Sequence, residues 1–479
     1  MSTRLYRIQG LFYNRFAVNR LSLLHFTRGV LLVVLLFGAS SAKAASVLDI
    51  GTDYRLRGIA VGNPTYGAPG DKDYSYYSQR LLAHVGGRFS PNLEFMTQFQ
   101  AIGVAGSSST VTDPIANQAA GHYPNANFTP WVQWAYFKAT NLHDLPLDIT
   151  VGRQPIMLGD GLILSDDDLG FTGIRFQSRF PWYGLQGDLF TFKTNDALSG
   201  NADSDIYGFE LSKPMKNIRI QLSWVNEHDG SGHTQYIRAS ENPANLPGAN
   251  FTASKIVRSF YDARIEGRLL QGGFYKGEFA VQDGKVNRDP SVPNGSVKLG
   301  GYAGQISAGL FTRFSKYGPI EVHGLFGMGS GDSGEAGKDN AFRPSFGHRF
   351  DGLERSGFGE LFGATLYDAT NSGSNNPNGL PNGNSGIRVI GGGVTTHPTS
   401  LLSIGIDYYV FDALEQNNAA FTAGAGTDTS LGSELDFGAG FAYTNYLSFR
   451  ASAAFFSPGS AYQYDSKAHR YLIEARGRF

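Results

Sequence analysis

The sequence predicts an all-β fold: an 18-stranded antiparallel up-and-down transmembrane β-barrel with short periplasmic turns and long outer loops. Three observations carry that expectation. Successive segments alternate apolar and polar side chains, the period of a strand whose two faces meet different surroundings. Tight and long connections between these segments alternate along the chain, which is the parity of an up-and-down barrel. A basic and then apolar leader precedes the first segment.

The leader spans residues 1–44. It holds Arg4, Arg7, Arg15, Arg20, Arg28 and Lys43 and no acidic residue. The apolar run "GVLLVVLLFGA" from Gly29 to Ala39 precedes "AKA" at Ala42–Ala44, a small-x-small cleavage pattern. Eleven apolar residues fall short of the ~20 that a spanning helix needs, so residues 1–44 read as a cleaved signal peptide and 45–479 as the barrel. Removing the six leader cations leaves 34 basic against 41 acidic residues, a net charge of −7. That balance excludes a nucleic-acid partner, which would call for a basic surface. The absence of cysteine excludes disulfides, thiolate zinc sites and cysteine nucleophiles. With 62 glycines, 13% aromatic residues and a mean hydropathy of −0.22, the composition suits alternating faces better than a globular core.

Strands are expected near 47–61, 76–90, 92–105, 129–141, 146–155, 170–180, 182–194, 204–213, 217–228, 255–269, 272–283, 297–314, 319–329, 386–396, 400–412, 432–443, 446–456 and 469–479. The last, "HRYLIEARGRF", sets Tyr471, Ile473, Ala475 and Phe479 against Arg470, Glu474, Arg476 and Arg478. After even-numbered strands the gaps are tight, as at Pro91, "LHDL", Pro181, "KPMKN", "QG", "SKYG", "HPTS" and "TN". After odd-numbered strands they are long and rich in Gly, Asn, Pro and Ser. Parity then requires 330–385 to be a single long outer loop, folded toward the mouth. The terminal aromatic Phe479 on an amphipathic strand fits a signal for the barrel-assembly machinery. Outer-membrane lipids of a Gram-negative cell would surround the apolar face.

The parity also names the side chains that point into the lumen. The expected pore-lining residues are Arg55, Arg57, Arg80, Arg88, Arg175, Arg179, Arg219, Arg258, Asp262, Arg264, Glu266, Arg268, Arg388, Asp407, Asp436, Arg450, Arg470, Glu474 and Arg476. Arg478 and the acids Asp49, Asp53, Glu94, Asp148, Asp188, Glu210, Glu278, Glu321 and Glu434 share those faces. An arginine-rich lumen of mixed sign either braces its wall through ion pairs or presents free guanidiniums to anions.

The stretch "DITVGRQPIMLGDGLILSDDDLGFTGIRFQSRF" resembles the alginate-export family of outer-membrane barrels. The resemblance rests on Gly152-Arg153-Gln154, on Gly159-Asp160 in the following loop and on Phe171–Arg175. "GHRFDG" at Gly347–Gly352 and Leu431–Gly459 look like further family elements. The family implies an 18-stranded barrel passing an anionic polysaccharide such as alginate through a basic constriction. Two departures bear on that solute: Thr172 replaces the acid of the second strand, and apolar Leu162–Leu164 follow Gly-Asp where a basic residue is expected. The alternative is a general or small-anion uptake porin.

No catalytic, cofactor or metal residues are expected. His84, His143, His323 and His348 sit in no recognisable serine–histidine–acid spacing, and a rim-active barrel enzyme is the least favoured reading. Adjacent Asp166, Asp167 and Asp168 lack the spacing of a calcium loop and read as a wetted outer edge. Strict parity aims Arg153 at lipid, which is costly unless it lies near the rim or Gly152 introduces a bulge.

Overall fold

A computed structural model describes residues 48–104, 128–166, 168–180, 183–195, 203–230, 253–269, 272–288, 296–312, 318–333, 335, 337–347, 357–366, 384–416 and 428–479. The expected signal peptide, Asp167 and the GHRFDG element beyond Gly347 lie outside them. Leu48–Arg88 and Asn92–Phe479 form one compact unit.

Eighteen long antiparallel strands close into a barrel. They are β1 Leu48–Gly62, β2 Tyr74–Ser90, β3 Leu93–Val104, β4 Trp131–Ala139, β5 Leu147–Gln154 and β6 Phe171–Phe180. Next come β7 Leu185–Asn195, β8 Ser204–Pro214, β9 Ile218–Asp229, β10 Ala253–Arg268 and β11 Gly273–Arg288. β12 has two segments, Ser296–Leu299 and Tyr302–Thr312, parted at Gly301, which takes φ +134° while the register against β11 runs on unbroken. The rest are β13 Ile320–Gly329, β14 Ile387–Thr396, β15 Leu402–Asp412, β16 Ser430–Ala442, β17 Leu447–Pro458 and β18 Ala468–Arg478. Each strand pairs with its sequence neighbours, and β1 pairs with β18 from Asp53↔Arg478 to Gly62↔His469. Closure removes every free edge, as hydrocarbon surroundings demand. All eighteen expected strands are found; among the described residues of 330–385 the only addition to their sheet is the two-residue Lys338–Asp339, which pairs in parallel with Lys298–Leu299 of β12.

The alternation is realised as two faces. On β10, Tyr261 and Ile265 are exposed while Arg258, Phe260 and Asp262 are buried. Leu222, Ile306, Leu310, Val322 and Ile404 continue the outward apolar belt, with Tyr183, Tyr443 and Tyr446 exposed at the turn end. An apolar belt with aromatic residues at its border is the surface a lipid bilayer accepts.

The hydrophobic core lies inside the barrel. Two connections fold inward to build it. The segment after β5 buries Ile156, Leu158, Leu162, Ile163 and Leu164, which pack in one cluster with inward Phe190, Phe192, Val225 and Phe260. The segment after β13 adds Phe342, Leu361, Phe362 and Leu366. Ser165 N–H donates to the Phe346 carbonyl at 2.6 Å, so the two segments touch. An empty 18-stranded barrel would be roughly 35 Å across at the backbone, wide enough for an open aqueous channel. Burial of apolar loop side chains fills much of that width.

This corrects the expectation for the stretch after Gly152-Arg153-Gln154. It is a plug inside the lumen rather than a wetted edge, because its five apolar side chains gain more from the barrel interior than from water. Asp166 is half-buried beside it, accepting hydrogen bonds from Trp134 Nε1 (3.3 Å) and Gly170 N–H (3.1 Å). Burial pushes its carboxyl up to about 6.

Candidate functional site

The wall made by β17, β18, β1 and β2 carries eight arginines and three acids. Register stacks them in rows across the strands. Arg80, Arg55 and Arg476 are direct cross-strand neighbours, and Arg57 lies beside Glu474, which lies beside Arg450. Arg57 Nε donates to Glu474 Oε2 at 2.6 Å, with Arg55 Nε 3.9 Å from the same oxygen. Arg476 Nε donates to Asp53 at 2.9 and 3.0 Å, and Arg478 Nε to Asp53 at 3.2 Å. Arg80 reaches Asp168 of the inward loop at 2.8 Å. Arg55, Arg57 and Arg470 are each under 10% exposed. A guanidinium is weakly hydrated and always charged, so it tolerates such burial better than lysine would.

The facing wall, β8 to β12, is where the inward loop is tied. Gly159 takes φ +57°, and a Cβ there would lie 2.4 Å from Glu278 Oε1, so the tight turn at this contact needs glycine. Beyond it, Asp160 N–H donates to Glu278 Oε2 at 3.0 Å. The Asp160 carboxylate meets Arg264 Nη2 (3.0 Å), Lys276 Nζ (2.9 Å) and Gln305 Nε2 (3.3 Å). Arg264 also pairs with Glu266 at 2.8 Å, and Arg219 with Glu266 at 3.6 Å. Asp262 is buried between them, with no hydrogen bond to either oxygen. Higher up, Arg258 pairs with Glu227 at 2.8 Å and donates to the Arg343 carbonyl at 2.6 Å. Ser345 N–H and Oγ both donate to Glu227 (3.1 and 2.9 Å).

The second inward segment is held at its Gly357–Leu366 turn. Backbone N–H groups of Glu360, Leu361 and Phe362 donate to Asp436 Oδ2 (2.8 Å), Glu434 Oε1 (2.5 Å) and Glu434 Oε2 (2.7 Å). Asp407 accepts from His323 Nε2 at 2.8 Å across Gly393, where a Cβ would fall 2.0 Å from Asp407 Oδ1. Near the turn end, Arg175 pairs with Asp188 (Nε to Oδ2, 2.7 Å) and Lys138 with Asp148 (3.5 Å) around a cavity of about 560 Å³ that Arg179 also lines. Arg88 lies 3.9 Å from Glu94, and Arg268 is exposed.

One expected lining residue is placed on the other face. Arg388 belongs to the outward row of β14, alternating in step with exposed Ile390 and Val394, and it pairs with Asp412 at 2.8 Å. At the strand's outer end the outward face has passed beyond the apolar belt, so a charge there costs little. Arg153 keeps the parity of Val151. The register of β4, β5 and β6 runs unbroken through Gly152, which takes φ +125°. The bulge lies one strand away, on β4, where Gln133 is the extra residue opposite Gln98 and Phe99 of β3. Arg153 Nε donates to the carbonyls of Gln133 (3.1 Å) and Leu169 (2.9 Å), so its charge is held by backbone oxygens. Gln154 is buried, its amide directed at the carbonyls of Thr150, Gly152 and Gly173.

Sequence reasoning missed Glu227, Lys276, Gln305 and Glu360 as lumen groups. The first three follow from the same alternation that named their neighbours, whereas Glu360 sits in a glycine-rich connection with no period to read. No cluster of three or more metal-ligating side chains occurs among the described residues.

No protein-family model matches the chain, and no curated protein matches it. The resemblance to the alginate-export family is thus not confirmed. Solved structures do match. OccK9 (OpdG) of Pseudomonas aeruginosa superposes with a TM-score of 0.52 at 12% identity, over 90% of this chain and 98% of that one. OccAB1 of Acinetobacter baumannii gives 0.51 at 12% identity, over 90% and 97%. Both are outer-membrane porins, channels rather than enzymes, and the likeness shows the fold. A closed barrel of this kind, apolar outside and charged within, lies in the outer membrane of a Gram-negative cell.

Proposed function

We propose that the chain is an outer-membrane porin for small organic anions, taken up past an arginine-lined wall. The observation that carries this reading is the wall of β17, β18, β1 and β2, with eight arginines against three acids in adjacent cross-strand rows. Rings and rows of one charge set the sign of the ion that a pore admits. The neutral-to-acidic balance of the whole chain does not oppose it, because the acids concentrate on the facing wall and in the loops. The two inward segments favour small solutes over a polysaccharide chain, since apolar side chains occupy the outer half of the lumen. In the same reading Phe479, exposed at the turn end and hydrogen-bonded through its backbone to Thr52, is the contact offered to the assembly machinery.

The test is a planar-bilayer recording of the purified chain under a potassium chloride gradient. A reversal potential on the anion side, moved toward zero by Arg55→Gln with Arg476→Gln, is expected. Cation selectivity of the unaltered protein, or no current at all, would overturn the proposal.

A further inference from the structure

The Gly357–Leu366 turn brings a carboxylate of the chain itself onto the arginine wall. Glu360 Oε2 accepts from Arg470 Nη1 at 2.9 Å, and Glu360 Oε1 meets Arg450 Nη2. The same Arg470 Nη1 donates to the Glu360 carbonyl at 3.0 Å. Arg450 and Arg470 come from neighbouring strands, β17 and β18, so the two guanidiniums form a fork that grips one carboxylate from both sides. A cavity of about 150 Å³, lined also by Arg57, Tyr409 and Ser452, adjoins this fork.

The turn's backbone is fixed independently of that carboxylate. Glu434 and Asp436 hold three successive N–H groups, and Phe362 stacks on Phe456 with ring centroids 5.0 Å apart. Gly359, at φ +81°, allows the close approach to Glu434. The Glu360 side chain therefore can leave the fork by rotation about its own bonds while the turn stays in place. Its side chain is 22% exposed, so it has open space to rotate into.

We propose that Glu360 is a resident competitor: it occupies a carboxylate-binding fork of Arg450 and Arg470 that a passing organic anion takes over when Glu360 swings out. This rests on the small-anion reading above and adds the residue that sets affinity. An internal ligand reduces the apparent affinity of an external one by the fraction of time the fork is free. Weak retention suits a channel, where binding must be favourable enough to enter and loose enough to leave.

The experiment measures block of chloride current by benzoate, with uncharged benzamide as control, in planar bilayers. With Glu360→Gln the fork is vacated, and the half-blocking benzoate concentration should fall by about tenfold, as for a competitor seated roughly nine-tenths of the time, with benzamide unaffected. Adding Arg450→Gln to Glu360→Gln should reverse most of that gain. Glu360→Ala, checked for heat-modifiable mobility in detergent gels, serves as a second variant that keeps the turn's backbone bonds. Equal benzoate block in wild type and both Glu360 variants, including no block in any, overturns the inference. Such a result in a channel that remains anion-selective leaves the uptake reading standing, whereas loss of anion selectivity in the wild type removes that reading first.

Discussion

Asp160→Asn separates the two forces that hold the first inward segment. The aspartate sits 3.0 Å from Arg264 Nη2 and 2.9 Å from Lys276 Nζ. Lys276 is 43% exposed and its pair is screened, so the loss of both contacts costs about 1–2 kcal/mol. Against this, Ile156, Leu158, Leu162, Ile163 and Leu164 are each at most 5% exposed. At roughly 1.5–3 kcal/mol per buried aliphatic side chain, they contribute on the order of 10 kcal/mol. The segment should therefore remain in the lumen. What changes is the field. One negative charge about 6 Å from a passing ion in a water-like medium repels an anion and attracts a cation by about 0.7 kcal/mol each, so its loss is worth about 1.4 kcal/mol, a factor of about ten, in the anion-to-cation permeability ratio. Single-channel recordings with a salt gradient should show that shift toward anions with little change in conductance. A several-fold rise in conductance would mean that the aspartate, and not the apolar core, holds the segment, and a shift toward cations would refute the electrostatic argument.

Two further outcomes follow from single side chains. Asp166 ionises near 4 in an unfolded chain and near 6 in the fold, so the folded state holds a proton in that window which the unfolded chain has released. Its contribution to stability is full below about 4, falls as pH rises to about 6, and stays about 3 kcal/mol lower above that. Asp166→Asn should then slow amide hydrogen exchange of the 155–166 segment relative to wild type at pH 7.5 and match it near pH 4; the reverse order would disprove the assignment. Gly393→Ala places a methyl 2.0 Å from Asp407 Oδ1 and 2.5 Å from the Ile406 carbonyl. The overpacked site should cost about 1–3 kcal/mol and lower the temperature at which the folded band is lost in detergent gels. An unchanged temperature would show that β14 and β15 relax freely there.

The barrel was legible in the sequence because lipid imposes one rule on every strand. Tyr471 and Ile473 outward, Arg470 and Glu474 inward, is a pattern that no compensation elsewhere can replace. The rule weakens where its cause ends. Arg388, beyond the apolar belt, escapes it, and so does β4, whose bulge turns Gln133 inward to accept from Gln98 Nε2 at 2.8 Å. The site was less legible. "LIL" at Leu162–Leu164 was itself the sign of a buried segment, since a solvated loop has no use for three aliphatic residues in a row. The partners of Asp160 lie more than a hundred residues away, on strands that only closure brings opposite. Glu360 gave no sign, because a lone acid among glycines carries no directional information.

The cluster of apolar side chains inside the outer half of the barrel has a thermodynamic consequence. Membrane strands owe nothing to water-driven association on their lipid face, where tails are as apolar as leucine. The lumen core does, because Phe190, Phe260, Ile163 and Phe362 were taken from water and not from lipid. The protein therefore combines two materials with different responses. Urea and cold weaken the inner one and leave the outer one nearly untouched. Moderate urea should thus loosen the two inward segments while the strands stay closed, widening the lumen before the barrel itself unfolds.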